Sequence, residues 1–243
     1  MLDHQYIKKL AADAGFDLCG LAPCRHLVEN ESMLRAWLGK GYQSSLAYME
    51  RNVEKRADPR KLVEGARTAP LLEKQLAVEA GLGWIGRQSL LVTPRFGTYV
   101  LLGELLLTDD ADVYDPPFEG SRCGRCHNCI ESCPTGAIVA PKVIDTGRCI
   151  SCPTIEREPS GGIDLDGRIY GCDRCQSCCP HNQKAPMHTN PAFDPVFDPR
   201  TMDTAAWLGM AEAACEALCG RTPLTRSGLA RIRSNIAGTP GPE

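Results

Sequence analysis

Four cysteines between positions 123 and 133 constrain this chain more than any other feature of its sequence. The run reads Cys-Gly-Arg-Cys-His-Asn-Cys-Ile-Glu-Ser-Cys-Pro, so the thiols are spaced by three, three and four residues, and a proline follows the last. This spacing is typical of the ligands of a four-iron cluster. A partial match follows, with cysteines at 172, 175, 178 and 179 and a proline at 180. Two such runs predict two clusters and the movement of electrons between them or onward.

The last cysteine of each run is predicted to cross to the other cluster. In two-cluster ferredoxins the cysteine before the proline ligates the second cluster and not its own. The first cluster is therefore predicted to be held by Cys123, Cys126, Cys129 and Cys179. The second cluster takes Cys133, Cys172 and Cys175, and its fourth thiol must come from either Cys149 or Cys152. The alternative for this region is a structural zinc site, although zinc favours two separated Cys-x-x-Cys pairs.

The remaining cysteines are predicted to have roles other than cluster ligation. Cys19 and Cys24 flank a predicted strand and are expected to be small buried apolar residues. Cys215 and Cys219 lie one helical turn apart, which favours a core-facing position over a metal pair. Cys178 is expected to be a bystander, because two adjacent sulfurs cannot easily face one iron.

Length and charge predict a folded, metal-binding protein in a reducing compartment. The chain has 243 residues, a net charge of −3 and 14 cysteines. The first residues lack the apolar run of a signal peptide, and no stretch reaches a membrane-spanning length, so we expect a cytoplasmic protein with no membrane contact. Two basic groups, at residues 51–61 and 221–233, are either solvated surfaces or contacts to a phosphate backbone.

The pattern of the first 110 residues predicts alternating helices and strands. Asp3 is predicted to cap a helix that ends at Gly15, and a buried strand is predicted over residues 16–22. Asn30 is predicted to cap a second helix, and further helical turns are predicted over residues 45–52 and from Pro59. Another helix is predicted to begin at Pro70. Paired strands are then predicted over residues 90–93 and 98–107, and a tail helix over residues 204–218.

Several segments resemble the epoxyqueuosine reductases, in the order in which that family carries them. They are residues 80–86 (Ala-Gly-Leu-Gly-Trp-Ile-Gly), 102–104 (Leu-Gly-Glu), 134–138 (Pro-Thr-Gly-Ala-Ile), 148–151 (Arg-Cys-Ile-Ser) and 168–176 (Arg-Ile-Tyr-Gly-Cys-Asp-Arg-Cys-Gln). The resemblance spans most of the chain. It implies a cobalamin-dependent enzyme with two four-iron clusters that reduces epoxyqueuosine to queuosine at the wobble position of tRNA with a GUN anticodon.

The resemblance also implies roles for individual residues. The fourth ligand of the second cluster falls on Cys149, while Cys152 occupies a position that the family usually fills with tyrosine. The clusters would pass electrons to the cobalt, and the corrinoid would carry the hard chemistry. The implied cobalamin contacts are Arg56, Leu91, Leu102, Ile150, Cys172, Asp173 and Arg174. The electron donor is not identified by the sequence, and the family leans toward a monomer.

The chain departs from the family near residues 66–69. After Thr68 the family continues with a long stretch of its cobalamin-binding α/β domain, whereas this chain passes almost at once to a segment that resembles the far end of that stretch. The family's proton donor, an aspartate, falls on Arg67. Arginine cannot donate a proton near neutral pH, so no catalytic residue is assigned. Exposed sheet edges and apolar faces are expected where the strands are missing.

The predicted fold is therefore α+β, in three parts. Residues 1–110 form an incomplete α/β cobalamin-binding-like domain, residues 111–185 a ferredoxin-like domain for two [4Fe-4S] clusters, and residues 186–243 a helical tail. Besides the reductase, two functions remain open. One is a ferredoxin-like electron-transfer module without corrinoid chemistry, and the other is a degenerate protein whose clusters only stabilise the fold.

Overall fold

Short helices dominate the amino-terminal part of the chain. The computed structural model describes residues 1–68, 73–156, 162–198 and 201–238. Helix α1 (His4–Asp13) begins after Asp3, whose carboxylate accepts a hydrogen bond from the backbone N–H of Tyr6, as the sequence predicts. Helix α2 (Val28–Gly39) begins two residues before the predicted cap Asn30, and no side chain caps it. Buried Leu27 lies at its start instead, so packing fixes this end of the helix.

The next segments are helical but shorter than predicted. A 3-10 turn (Ala47–Glu50) lies within residues 45–52, and helix α3 (Val53–Ala57) leads to a second 3-10 turn (Pro59–Lys61). Helix α4 (Glu73–Glu79) buries Leu76 and Ala77. The predicted start of this helix at Pro70 lies outside the described residues.

The predicted strand over residues 16–22 is wrong. The segment is extended, but Phe16 is 55% exposed, and only its end, at Leu21 and Ala22, is buried. Isolated bridges join Pro23 to Thr68 and Thr68 to Leu107, so three segments meet as a remnant of a sheet. A strand needs a partner along its length. Among the described residues, the segment that ends at Thr68 offers only single-residue bridges to its two neighbours.

The predicted pairing of residues 90–93 with 98–107 is also wrong. Strand β2 (Leu91–Val92) pairs antiparallel with β1 (Trp84–Ile85), and a tight turn closes between Thr93 and Gly97. The chain then leaves the turn, because the backbone N–H of Thr98 donates to Asn182 Oδ1 at 2.8 Å. This contact ties the turn to the cysteine-rich region.

The cysteine-rich region is built from single helical turns around a small hairpin. It contains α5 (Asn128–Glu131), the antiparallel strands β3 (Ile138–Ala140) and β4 (Val143–Ile144), α6 (Ser151–Ile155) and α7 (Arg174–Ser177). Helices α5 and α7 pack against each other.

The tail differs from the predicted single helix over residues 204–218. Extended backbone at Met210 and Ala211 separates α8 (Thr204–Gly209) from α9 (Glu212–Cys219). A further helix, α10 (Leu224–Ala237), is kinked at Gly228. These helices bury a core of their own, made of Trp207, Cys215, Cys219, Leu229, Ile232 and Ile236. Across the described ranges, no helix is both long and apolar enough to cross a lipid bilayer.

Candidate iron–sulfur centres and the adjoining cavity

The first set of cysteines lines one small cavity. The thiols of Cys123, Cys126, Cys129 and Cys179 surround it, together with Arg87, Gln88, Asn128, Pro180 and His181. Three of these cysteines come from the turns around α5, and Cys179 comes from the end of α7. The structure thus brings together the four cysteines predicted for the first cluster.

Hydrogen-bond donors surround Cys123. The indole Nε1–H of Trp84 donates to Cys123 Sγ at 3.4 Å, and Trp84 is only 2% exposed. Burial raises the pKa of Cys123, but hydrogen bonds from Trp84, Ser121 and the backbone of Arg87 outweigh it, so the net pKa lies below the ordinary value. A thiolate is the form that binds metal, and this environment stabilises it.

The second set forms around α6, α7 and the turn before β3. Burial, and to a smaller extent the neighbouring groups Cys149, Cys172, Cys129 and Cys133, together raise the pKa of Cys175 to about 12. Burial likewise raises the pKa of Cys149, with added contributions from Cys172 and Cys133. These electrostatic effects indicate that Cys133, Cys149 and Cys172 lie in the neighbourhood of Cys175, which Cys129 of the first set also reaches. Burial disfavours the thiolate form of these cysteines. The positive charge of cluster iron would favour the thiolate and so offset this cost.

The structure separates the two candidates for the fourth ligand. Cys149 lies with Cys133 and Cys172, whereas the buried Cys152 has its Sγ 3.5 Å from Ser45 Oγ. Cys149 therefore lies with the second set, and its role as the fourth ligand stays a prediction.

Backbone donors also face Cys133. The N–H of Ala137 donates to Cys133 Sγ at 3.2 Å, and Thr135 Oγ1 lies 3.8 Å away. Although burial raises the pKa of Cys133, hydrogen bonds from Ala137 and Thr135 lower it overall. Four thiols at each site, with N–H donors aimed at their sulfurs, form a donor set that fits a four-iron cluster.

Cys178 contacts residues of both sets. Its Sγ lies 3.1 Å from Ser132 Oγ and 3.7 Å from the carbonyl oxygen of Cys175. Cys178 also acts electrostatically on Cys129 and Cys179. Its predicted bystander role stays a prediction.

The cysteines outside the two sets pack as structural residues to different degrees. Cys215 and Cys219 are buried in the tail core, in agreement with the prediction. Cys19 and Cys24 are only partly buried, because the segment between them lacks the strand partners that would cover it.

A larger cavity lies beside α7. Its volume is about 620 Å³, within the range of small-molecule sites, and its wall is formed mainly by residues 14–18, 91–103 and 186–193. Leu91 and Leu102, two of the implied cobalamin contacts, line it. Gln176 lines it too and directly follows Cys175, so the cavity wall is continuous with α7.

The other implied cobalamin contacts do not line this cavity. Arg56 donates to the backbone carbonyls of Arg51 and Tyr48. Ile150 is buried. Arg174 pairs with Asp166 at 3.0 Å.

Two of the remaining positions face the cysteines or solvent instead. Asp173 accepts from the side chain of Gln176 at 2.6 Å, and Cys172 belongs to the second set. Arg67, where the resemblance predicts the family's proton donor to fall, is exposed, and its backbone N–H donates to the carbonyl of Leu107.

Several residues around the cavity were not predicted from the sequence. Thr98 Oγ1 donates to Gln176 Oε1 at 2.8 Å, and Asn182 Nδ2 donates to Thr98 Oγ1 and to the backbone carbonyl of Gln176. This network joins the cavity wall to α7. In the sequence, this network is marked only by three polar residues, Thr98, Gln176 and Asn182. Thr98 lies far from the other two in the chain, so their spacing does not reveal that they meet.

Known proteins share these features. A family model described as a 4Fe-4S double cluster binding domain matches residues 122–182. The chain is 32% identical to an epoxyqueuosine reductase of Cyclobacterium marinum, over 96% of this chain and 95% of the relative. It is 31% identical to an epoxyqueuosine reductase of Escherichia coli, over 84% of this chain and 72% of the relative.

A solved structure shares the fold. It is an epoxyqueuosine reductase with an epoxyqueuosine-modified tRNA-Tyr stem loop, and it superposes with a TM-score of 0.84 at 22% identity. The match covers 96% of this chain and 79% of that chain. The similarity confirms a mixed helix and strand fold of this type.

The relative from Cyclobacterium marinum contains sequence that this chain lacks. The alignment runs over 298 positions, but the chain has only 243 residues, so at least 55 positions of the alignment have no counterpart here. The predicted junction near residues 66–69 lies partly outside the described residues.

Proposed function

Because the chain belongs to the epoxyqueuosine reductase family, we propose that it reduces epoxyqueuosine to queuosine at the wobble position of tRNA with a GUN anticodon. The named relatives and the tRNA stem loop bound by the structural neighbour support this proposal. Replacing an epoxide by a double bond releases the oxygen as water and consumes two electrons and two protons. We propose the cytoplasm as the location, since tRNA is there, and a monomer as the active form.

The two cysteine sets would hold the two [4Fe-4S] clusters. Cys123, Cys126, Cys129 and Cys179 would hold the first cluster, and Cys133, Cys149, Cys172 and Cys175 the second. When bound, these clusters supply single electrons at low potential. The chain's own contribution is to fix the thiolates: Trp84 donates to Cys123, and the backbone of Ala137 donates to Cys133.

The cavity beside α7 is the proposed site of the corrinoid. One observation carries this assignment: Gln176 lines the cavity and is bonded to the cluster-ligand Cys175, so the second cluster would lie next to the cavity wall. Leu91 and Leu102 would pack against the ligand, and Thr98 would hold Gln176 in place. When bound there, cobalamin would supply the reduced metal centre that acts on the epoxide.

The proposed layout has three parts. Residues 1–110 would form the incomplete corrinoid-binding α/β part, residues 111–185 the ferredoxin-like part and residues 186–243 the helical tail. The separate tail core and the boundaries of the family match support this division.

A second candidate is an electron-transfer module without corrinoid chemistry. One observation favours it: the chain lacks at least 55 positions of its relative. The resemblance, which places the family's acid at Arg67, points the same way. Such a module would keep both clusters and deliver electrons to a partner protein.

Cofactor analysis and turnover together separate the two candidates. The protein would be purified anaerobically, analysed for iron, sulfide and cobalt, and titrated with hydroxocobalamin. It would then be incubated with tRNA carrying epoxyqueuosine and a strong reductant, and the nucleosides would be measured by mass spectrometry. The reductase predicts about eight irons, corrinoid uptake and conversion to queuosine. Full iron content without corrinoid uptake would rule out the reductase for this chain.

One matched pair of variants tests the cavity. Leu102→Trp would fill the cavity and weaken corrinoid binding, because Leu102 lines it. Leu105→Trp makes the same change at a side chain that is 75% exposed and outside the lining. Equal corrinoid affinities in the two variants would place the corrinoid elsewhere.

A further inference from the structure

Three polar side chains are buried between the tail and the second cysteine set. Thr154, on α6, has no exposed surface, and Ser227 and Asn235, on α10, are 6% and 4% exposed. Burying a polar group costs free energy unless the group is hydrogen-bonded. The hydrogen-bond partners of these side chains therefore identify the segments that the tail holds in position.

Both α10 residues converge on α6. Ser227 Oγ donates to the carbonyl oxygen of Thr154 at 2.7 Å, and Asn235 Nδ2 donates to the same oxygen at 3.4 Å. Asn235 Nδ2 also donates to the carbonyl of Ile169 at 2.8 Å. Helix α6 is a single turn, and the last carbonyls of a helix have no partner within it. The tail therefore satisfies the free end of the helix that follows Cys149.

A backbone kink makes this convergence possible. Residues 227 and 235 would lie about 12 Å apart along a straight helix, too far for two short side chains to meet at one oxygen. Gly228 has φ 75° and ψ 162°, and this left-handed backbone breaks the helix between them. Glycine adopts this conformation without steric cost. The kink therefore allows Ser227 and Asn235 to reach the same carbonyl oxygen of Thr154.

The same network reaches the loop before Cys172. Thr154 Oγ1 donates to the carbonyl of Ile150 at 2.7 Å and accepts from the N–H of Gly171 at 3.0 Å. Ser151 Oγ accepts from the N–H of Cys172 at 3.1 Å. Thr154, which the tail contacts, therefore holds two segments of the second set. One is the segment after Cys149, and the other is the segment before Cys172.

We propose that Ser227 and Asn235 are positioning residues that set the geometry of Cys149 and Cys172, and so fix the second cluster, through Thr154. The proposal rests on the ligand assignment given above for the second cluster. The first set has no contact with this network among the described hydrogen bonds. The tail is therefore expected to act on one cluster and not on the other.

A chelator challenge read cysteine by cysteine tests this selectivity. The holoprotein, kept anaerobic, would be mixed with an iron chelator and a thiol-alkylating reagent, and the labelling rate of each cysteine would be measured by mass spectrometry. In Ser227→Ala and Asn235→Ala, labelling of Cys149 and Cys172 is expected to accelerate about five-fold, as for the loss of one buried hydrogen bond. Labelling of Cys123 and Cys126 should not change.

Two further variants keep the outcome clear. Thr154→Val is nearly isosteric and removes the bond to Gly171, so it should show the same selectivity if a tail variant folds poorly. Ser234→Ala changes an exposed serine of the same helix and should leave every rate unchanged.

Each outcome has one meaning. Selective acceleration at Cys149 and Cys172 supports the proposal. Equal acceleration in both sets, or none, overturns it, because the tail would then act only on global stability or not at all. If Cys149 or Cys172 of the unaltered, fully iron-loaded protein is labelled at once, the ligand assignment itself fails, whatever the variants show.

Discussion

Replacing Trp84 by Phe should lower the reduction potential of the first cluster alone. The indole Nε1–H donates to Cys123 Sγ at 3.4 Å, and the ring packs between Phe118 and His181 at centroid distances of 5.4 and 4.9 Å. Phenylalanine keeps an aromatic ring in this position but removes the donor. Hydrogen bonds to cluster sulfurs stabilise the reduced, more negative state, so the potential falls when a donor is lost.

The size of the shift follows from the energy of one hydrogen bond. A bond of this kind contributes about 0.5–1.5 kcal/mol, and a one-electron potential changes by about 59 mV for each tenfold change in equilibrium constant. The expected decrease is therefore about 20–60 mV. Backbone donors face Cys133 in the second set, and Trp84 has no described bond there. The second cluster should keep its potential.

An anaerobic redox titration followed by electron paramagnetic resonance measures both potentials in one sample. Trp207→Phe is the matched control, since Trp207 is 3% exposed and lies in the tail core. Both substitutions leave a similar void, but only the first removes a donor to a cysteine. Potentials that stay equal to those of the unaltered protein, or that shift together in both variants, would refute a role for the Trp84 bond.

Three further predictions concern the ligands, a raised carboxyl pKa and the core. Cys126→Ser should reduce the iron content by about half, whereas Cys178→Ser should leave it unchanged; equal iron contents would contradict the ligand assignment. Burial, and then Glu73, raise the pKa of Glu104 to about 7, so the folded state binds this proton more tightly than the unfolded state. Stability should therefore fall as pH rises from about 4.5 to 7, by about 1 kcal/mol after allowance for solvent screening, and Glu104→Gln should remove this slope in urea unfolding curves. Leu76→Ala, at a side chain only 2% exposed, should cost about 2–5 kcal/mol of unfolding free energy, whereas Leu101→Ala, at a side chain 79% exposed, should cost little; equal losses would contradict the packing of α4.

Local chemistry made the cysteine sets and the first helix predictable. The spacing of Cys123, Cys126 and Cys129 determines which sulfurs one turn can present to a cluster. The ferredoxin pattern, in which the cysteine before a proline binds the other cluster, assigns Cys179 to the same set. The Asp3 cap likewise depends on a residue three positions from its partner Tyr6. Such short-range relations can be recognised in a single sequence.

The long-range contacts could not be predicted in this way. Thr98 leaves the predicted hairpin because Asn182, 84 residues away, accepts its N–H. Helix α10 was not predicted, because Gly228 interrupts its hydrophobic periodicity. The role of the kink becomes visible only in the structure, where Ser227 donates to the carbonyl oxygen of Thr154. The contact between Ser45 and Cys152, which lie 107 residues apart in the chain, could not be predicted from spacing either.

The amino-terminal part and the cysteine region differ in how completely their segments are held by neighbouring residues. Segments 16–22 and 98–107 join the remnant sheet by isolated bridges, and they leave Leu101 79% and Leu105 75% exposed. The second cysteine set, in contrast, is held by Ser151, Thr154 and the tail. The loop before Cys149 is also held from the amino-terminal part, because the carbonyl oxygen of Tyr42 accepts from the N–H and the Oγ1 of Thr146. None of these described supports lies at residues 66–68, beside the junction where the chain is predicted to lack sequence. Loss of that sequence should therefore affect corrinoid binding more than cluster assembly, and a protein that assembles both clusters while binding cobalamin weakly is the outcome that this arrangement favours.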